Sequence, residues 1–558
     1  MDIFQKLEKG LRKIHRKKID KNIFVPFIIF LEILVAQVDQ RFDLFDWEIM
    51  RQNESINSIS EGYQYVFFAT NANGILRFNK FSRKFDSNIY LGQGIKSKEI
   101  KHVYFDKNTG ILWIIGNEGL EFSNNRTGNW NDIEFQRLNV KSLRNIEDFG
   151  ASRNFLWIKT NSRYIKLDHV SATFLGVFAY PDESNIDWGD INFSSNYEFN
   201  NFSLEDYFIE QGWLLSNKSA SDNNGVFHNY KTFLKTQNGF SWIGLSNGQL
   251  LFIDDFSKTI TPKDVGISVS VPLTISKGKK LWIAGINNNQ YSSISSIENN
   301  FSKVRNFFET NYSGFFRSDF YSSEYIDGEV WFGSDGKVVI YDERNDFFRT
   351  LGYEKGIPIQ KIEFIKYFND KVYIASYSEL IVLDIKSKKI VDSQISDLIK
   401  KNNLFIDYLE VVENKLYIAL DGRTYLFDEN ENINFDKFEY LVKDNFRVEG
   451  IYGYGEYLFF SSKKGILNLR DNELIPSSLY FNFRVNDVLK LNNILYIGTS
   501  GGLAIYDLEL KQLNNFYDFS FIRNIFKVEL VGDFLVLLTS TGLILSLIHI
   551  SEPTRLGA

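Results

Sequence analysis

The sequence contains no cysteine, which excludes disulfides, thiolate metal sites and cysteine nucleophiles. Histidine is almost as scarce: His15, His102, His169, His228 and His549 are the only five and lie far apart, so a histidine-rich metal site is not expected. The chain carries no excess of basic charge. Its formal net charge is −7, which argues against a nucleic-acid partner held on a basic face. No Gly-x-Ser-x-Gly, His-Glu-x-x-His or phosphate-binding loop occurs. The sequence therefore predicts no catalytic residue, no metal ligand and no cofactor.

What is present has an ordinary globular balance, 44% hydrophobic and 24% charged. At 558 residues the chain exceeds one ordinary core, and two large domains are expected. Aromatic residues make up 16%, with 52 Phe and 29 Tyr, a load that β-strands absorb without any ligand.

The N-terminus has the form of an export signal. Lys6, Lys9, Arg12, Lys13, Arg16, Lys17, Lys18 and Lys21 precede an apolar run from Ile23 to Ala36. That run is too short to span a bilayer comfortably, and it ends on a small residue. Residues 1–36 read as a signal peptide, with the mature chain starting near Gln37 and no stable membrane span in the protein.

The remainder is repetitive. Leu281-Trp282-Ile283-Ala284-Gly285, Val330-Trp331-Phe332-Gly333 and Leu495-Tyr496-Ile497-Gly498 share an apolar–aromatic–apolar–small pattern. Weaker copies centre on Phe67, Trp113, Trp157, Trp242, Tyr373, Tyr417, Phe459 and Val536. With Trp213, which falls in the long gap between Trp157 and Trp242, they make twelve units with a mean step of about 43 residues. Runs of four to seven apolar-rich residues between Gly/Asn/Asp turns are strands, and four short strands per unit make a propeller blade. No amphipathic helix of useful length is expected after the signal.

The marker row, Trp113, Trp157, Trp242, Trp282, Trp331, Tyr373, Tyr417 and Tyr496 among it, is expected to fill the wedge between neighbouring sheets. The following Gly or Ala admits the next blade's backbone. Asp254, Asp342, Asp384, Asp428 and Asp507, at strand ends, are expected to form turns. All 9 Trp lie at or before Trp331. This change of marker suggests tandem β-propellers in an all-β chain: a seven-bladed ring over 37–352 and a second, incomplete ring of about five blades over 353–547. Residues 548–558 carry none of the repeat's signals and resemble a tail found on truncated gene models. On that reading the second ring is an open arc with exposed apolar faces.

Residues 181–224 hold nine acids against one base, Lys218. Asp182, Glu183, Asp187, Asp190, Glu205 and Asp206 within it form a candidate segment for a basic partner or cation, set against a merely solvated loop. Asp428 to Glu439 has a superficial calcium-loop spacing, but Ile433 stands where such a loop needs Gly, and a hairpin turn fits better.

In copies such as Leu495–Asp507 and Val330–Asp342, the repeat resembles the two-component-regulator propeller repeat. In that family, tandem seven-bladed propellers form the periplasmic sensor region of hybrid histidine kinases. The resemblance covers about residues 55–547 and implies an exported, non-enzymatic protein of the periplasm or cell surface that binds a ligand or an envelope protein. The family's closing immunoglobulin-like domain, transmembrane helix and kinase are not seen in this chain. A stand-alone envelope or surface scaffold, similar to the propellers of secretion machinery, is the alternative. A propeller lyase or hydrolase comes third, for want of His, Cys and motifs. The export reading has a direct test: N-terminal sequencing of periplasmic protein should begin close to Gln37, and an intact Met1 in the cytosol would defeat it.

Overall fold

The computed structural model describes residues 47–546, apart from 53–54, 124–129, 194–203, 205, 210–211, 223–224, 288–290, 299–302, 310–317, 359, 422, 428–432, 435–446, 472 and 519–523. The expected signal peptide and the tail 548–558 lie outside the described residues. Among those described, the strands form eleven sheets, ten of them four-stranded and antiparallel and one of eight strands whose central four, 227–263, make a blade like the others. Blades 1 to 4 span 56–89, 100–133, 146–178 and 227–263. Blades 5 to 10 span 271–308, 322–352, 364–391, 406–434, 450–476 and 485–517, and blade 11 begins at 525 and runs to 546.

The aromatic markers share one structural position. Phe67, Trp113, Trp157, Trp242, Trp282, Trp331, Tyr373, Tyr417, Phe459, Tyr496 and Val536 all lie on the second strand of their blades. Trp113, Trp157, Trp242, Trp282 and Trp331 are buried, as is Tyr373, whereas Tyr496 is only half-buried. Turn chemistry follows the sequence as well. Asp254 accepts from the backbone N–H of Phe256 at 2.9 Å, Asp342 from Arg344 at 2.9 Å, Asp384 from Ser387 at 2.7 Å and Asp507 from Glu509 at 2.9 Å. Asp428 lies outside the described residues. Of the calcium-like stretch, Ile433–Asn434 pairs with Leu426 and Phe427 as the returning strand of a hairpin.

The marker glycines show which blade comes next. A Cβ on Gly333 of blade 6 would lie 2.7 Å from Ile362, which leads into blade 7, and one on Gly498 of blade 10 would lie 2.9 Å from Val528 of blade 11. By the same token Gly244 of blade 4 lies against Ile56 of blade 1, where a Cβ would come within 2.7 Å. Trp242 meets Phe68 and Phe78 of blade 1 edge-on, with centroids 5.1 and 4.8 Å apart. Blade 4 therefore turns back onto blade 1, and the first four blades form a small ring in which the segment 187–192 joins blade 3 to blade 4, with Asp187 bridging Ala151 and Ile191 pairing with Phe233. Ile275, Leu281 and Ile283 of blade 5 share a core with Val536, Leu538 and Leu543 of blade 11, so blades 5 to 11 form a ring of seven.

The sequence expectation of seven blades to residue 352 and an open arc beyond is corrected on three points. Trp213 marks no blade. It precedes the short strand Leu214–Leu215, which pairs with Ala220 and Ser221 on the flank of blade 4, and it packs against Tyr230 and Phe233. The boundary between the rings falls between 263 and 271, because Trp242 finds its partner surface on blade 1. Finally, blade 11 does have a fourth strand, Trp47–Met50, antiparallel to its last strand with Trp47 opposite Ser546 and Ile49 opposite Ile544. The apolar faces expected to be exposed are covered by blade 5.

One helix departs from the all-strand expectation. Gln394–Asn402, α1, is capped by Ser393, whose Oγ accepts from Ser396 N–H at 3.2 Å. It buries Ile395 and Ile399 in the core shared by blades 7 and 8. Burial makes the marker row testable. Trp282→Ala and Trp331→Ala should each cost about 3–5 kcal/mol in denaturant unfolding, as large-to-small core changes do. Tyr496→Ala should cost clearly less, and equal losses at all three positions would contradict this packing.

Candidate functional site

In the large ring the first strands of successive blades are neighbours around the axis, so residues some forty positions apart meet there. In the ring of seven, Glu324 of blade 6, Lys366 of blade 7, Glu410 of blade 8, Asp487 of blade 10 and Lys527 and Glu529 of blade 11 form one electrostatic group. Lys366 Nζ lies 2.6 Å from Glu410 and 3.9 Å from Glu324. Burial alone would lower the Lys366 pKa, but the two carboxylates outweigh it and hold the ammonium above its ordinary range. Burial raises Glu324, and it pushes Asp487 up from 3.8 to about 7 although Lys527 and the Val528 N–H, 2.8 Å away, oppose it. Tyr408, Tyr452 and Tyr454 complete the wall, all raised by burial. The hydroxyls of Tyr452 and Tyr454 donate to the Asn486 and Val488 carbonyls at 3.3 and 2.5 Å.

Sequence reasoning missed this group, although a signal existed. Glu324, Lys366, Glu410, Tyr452 and Glu529 each pair directly with the marker of their own blade, seven positions downstream. Polar residues recurring at that offset point at the axis. Among the described residues no group of three or more His, Asp or Glu is arranged to hold a metal ion.

The acidic segment is distributed rather than gathered. Asp182 pairs with Lys166 of blade 3 at 2.7 Å, and that ammonium also lies 3.9 Å from the Phe155 ring centroid. Glu183 accepts from Trp157 Nε1 at 3.4 Å. Asp187 makes an antiparallel bridge with Ala151, and its side chain accepts from Tyr104 at 3.4 Å. Asp190 accepts from the Ile59 N–H at 2.8 Å, from Ser58 Oγ at 3.1 Å and from the Thr232 hydroxyl, joining blades 1 and 4 at the centre of the small ring. Burial raises its pKa to about 7. Asp206 is exposed, and Glu205 lies outside the described residues. At Asp182, Glu183, Asp187 and Asp190 the idea of a partner-binding segment gives way to internal stapling, because each carboxylate already has a donor in the fold.

The open surface lies on the face formed by the turns that join first to second and third to fourth strands. There, between blades 1, 2 and 4, is a cleft of about 320 Å³. Glu61, 8% exposed, is clamped by Lys80 Nζ at 3.0 Å and Lys107 Nζ at 3.2 Å, leaving one positive charge in excess. The rings of Tyr63 and Phe81 stand 63% and 80% exposed beside it, and Asn238 of blade 4 closes the rim.

The sheet topology and blade packing define a β-propeller protein with two rings. No family model matches the chain, and neither does any curated protein. Among solved structures it is similar to the extracellular domain of the putative hybrid two-component system BT3049 from B. thetaiotaomicron, at 15% identity and a TM-score of 0.40, over 89% of this chain and 83% of that one. The extracellular domain of BT4673 from the same organism follows at 11% and 0.39, over 88% and 70%. PorZ, a surface component of the type-IX secretion system of Porphyromonas gingivalis, matches at 11% and 0.33, over 90% and 87%. Among the described residues no helix is long and apolar enough to cross a membrane.

The raised acids set a pH dependence. A carboxyl whose pKa is higher folded than unfolded holds its proton more tightly in the native state, so its contribution to stability falls as pH rises from about 4 to about 7. Asp487→Asn and Asp190→Asn keep an acceptor oxygen and remove this titration. Melting curves should show each variant gaining on the wild type across that window, by a few degrees at pH 8. Parallel pH profiles for wild type and both variants would rule the assignment out.

Proposed function

We propose that this chain is an exported, non-enzymatic propeller module of the periplasm or cell surface, which binds a ligand or envelope protein on the turn face of its small ring. The observation that carries this reading is the cleft around Glu61. It combines two exposed aromatic rings, a net positive charge and a rigid setting where three blades meet, which is the usual make-up of a recognition site. The resemblance of the repeat to periplasmic sensor propellers agrees with a sensing role.

The test is a thermal-shift screen of the mature chain against small molecules and envelope extracts, repeated on the Tyr63→Ala/Phe81→Ala double variant. Both rings are exposed, so the variant should fold with a nearly unchanged melting temperature. Binding of the hits should weaken at least tenfold. Hits that bind the double variant as tightly as the wild type would refute the assignment of this face.

A further inference from the structure

A second cleft opens on the same face between blades 2 and 3, with a volume of about 580 Å³. Asn108 comes from the first turn of blade 2, Arg153 and Asn154 from the first turn of blade 3, and His169 from that blade's last turn, with Ile111 and Val170 as the apolar lining. The carboxylate behind it is withdrawn from use. Asp106 is fully buried, and its oxygens accept from the Asn108 N–H at 2.9 Å and the Thr109 hydroxyl at 2.6 Å, with His169 Nδ1 3.1 Å away. Among the described residues no carboxylate stands within ion-pairing distance of Arg153, which is exposed at the rim.

The cleft is thus positive, with no carboxylate in its lining and several side-chain donors beside the guanidinium. A guanidinium without a counter-ion is matched by a planar anion that accepts two parallel N–H bonds, and amide and imidazole groups beside it add further donors. The neighbouring Ile111 and Val170 favour a short apolar tail over a fully hydrated ion. We propose that this cleft binds small carboxylates bearing a short aliphatic group, with Arg153 as the anchor and His169 and the two asparagines as supporting donors. The buried Asp106 lies close behind the imidazole, whose Nδ1 makes no hydrogen bond within the fold, while the exposed Arg153 stands in solvent. The site is separate from the Glu61 cleft: the turn that carries Lys107 into one carries Asn108 into the other. The proposal rests on the preceding reading only in taking the turn face as the binding face.

Saturation-transfer NMR on the full chain tests it, with isobutyrate as probe and isobutyramide as its uncharged counterpart. Isobutyrate should receive saturation and isobutyramide should not. Arg153→Gln should weaken isobutyrate binding at least fivefold, and Arg153→Lys should restore part of it, since a point charge replaces the fork only incompletely. Equal transfer to acid and amide, an unaffected Arg153→Gln variant, or displacement by inorganic phosphate as effective as by unlabelled isobutyrate would each overturn the assignment. If Arg153→Gln changes nothing while the Tyr63/Phe81 variant still loses its screening hits, this cleft fails and the broader reading stands. The opposite pattern leaves the carboxylate site and removes the other.

Discussion

Every blade is a small antiparallel sheet with two apolar faces and two edges, and it becomes stable only when both faces are covered by neighbours. The whole large ring therefore depends on the pairing of Trp47–Met50 with the last strand of blade 11. Without that strand, blade 11 would present an unpaired edge. Side chains reinforce the seam from both rings. Arg51 donates to Thr541 of blade 11 at 3.1 Å and to Tyr90 of blade 1 at 3.0 Å, and Gln93 Nε2 donates to the Trp47 carbonyl at 3.0 Å. The closing strand is thus held by the small ring as well as by the sheet it completes.

The local architecture was legible because each blade repeats the same demands. The marker aromatics sit on one strand in every unit, the strand-ending aspartates cap their own turns, and the small residue after the marker lies where the next blade approaches. Ring membership was not legible, since it depends on contacts between units far apart in sequence. Trp213 imitates a marker in the linear pattern yet serves as packing on the flank of blade 4. Trp47–Met50 is four residues long and carries no label of its destination. The helix at 394–402 was within reach, with Ser393 as cap and apolar residues at 395, 398 and 399, but it is barely two and a half turns long.

The candidate sites show a similar division. The acidic stretch is conspicuous as a block of like charge, but the carboxylates of Asp182, Glu183 and Asp190 are spent on Lys166, Trp157 and the junction of blades 1 and 4. The residues that face solvent in the two clefts are unremarkable in the linear sequence: Tyr63, Phe81 and Arg153 look like ordinary turn residues. What sets them apart is that three or four turns from separate blades converge, which only the ring geometry reveals. The axis of the large ring lies between these cases, because Glu324, Lys366, Glu410 and Glu529 recur at a constant offset from the markers whereas Asp487 and Lys527 stand two residues earlier.

The small ring is inserted between the closing strand and the rest of the ring that this strand completes. During synthesis the strand emerges first, then all of blades 1 to 4, and its partner at 543–546 comes about five hundred residues later. The small ring can close as soon as blade 4 has been made, whereas the large ring has to wait for its last blade with the first strand held in readiness. A chain delivered N-terminus first across a membrane would meet the same order. The tethering of Trp47 and Arg51 to blade 1 then acts as a clasp, set by the domain that folds early and kept open for the domain that folds late.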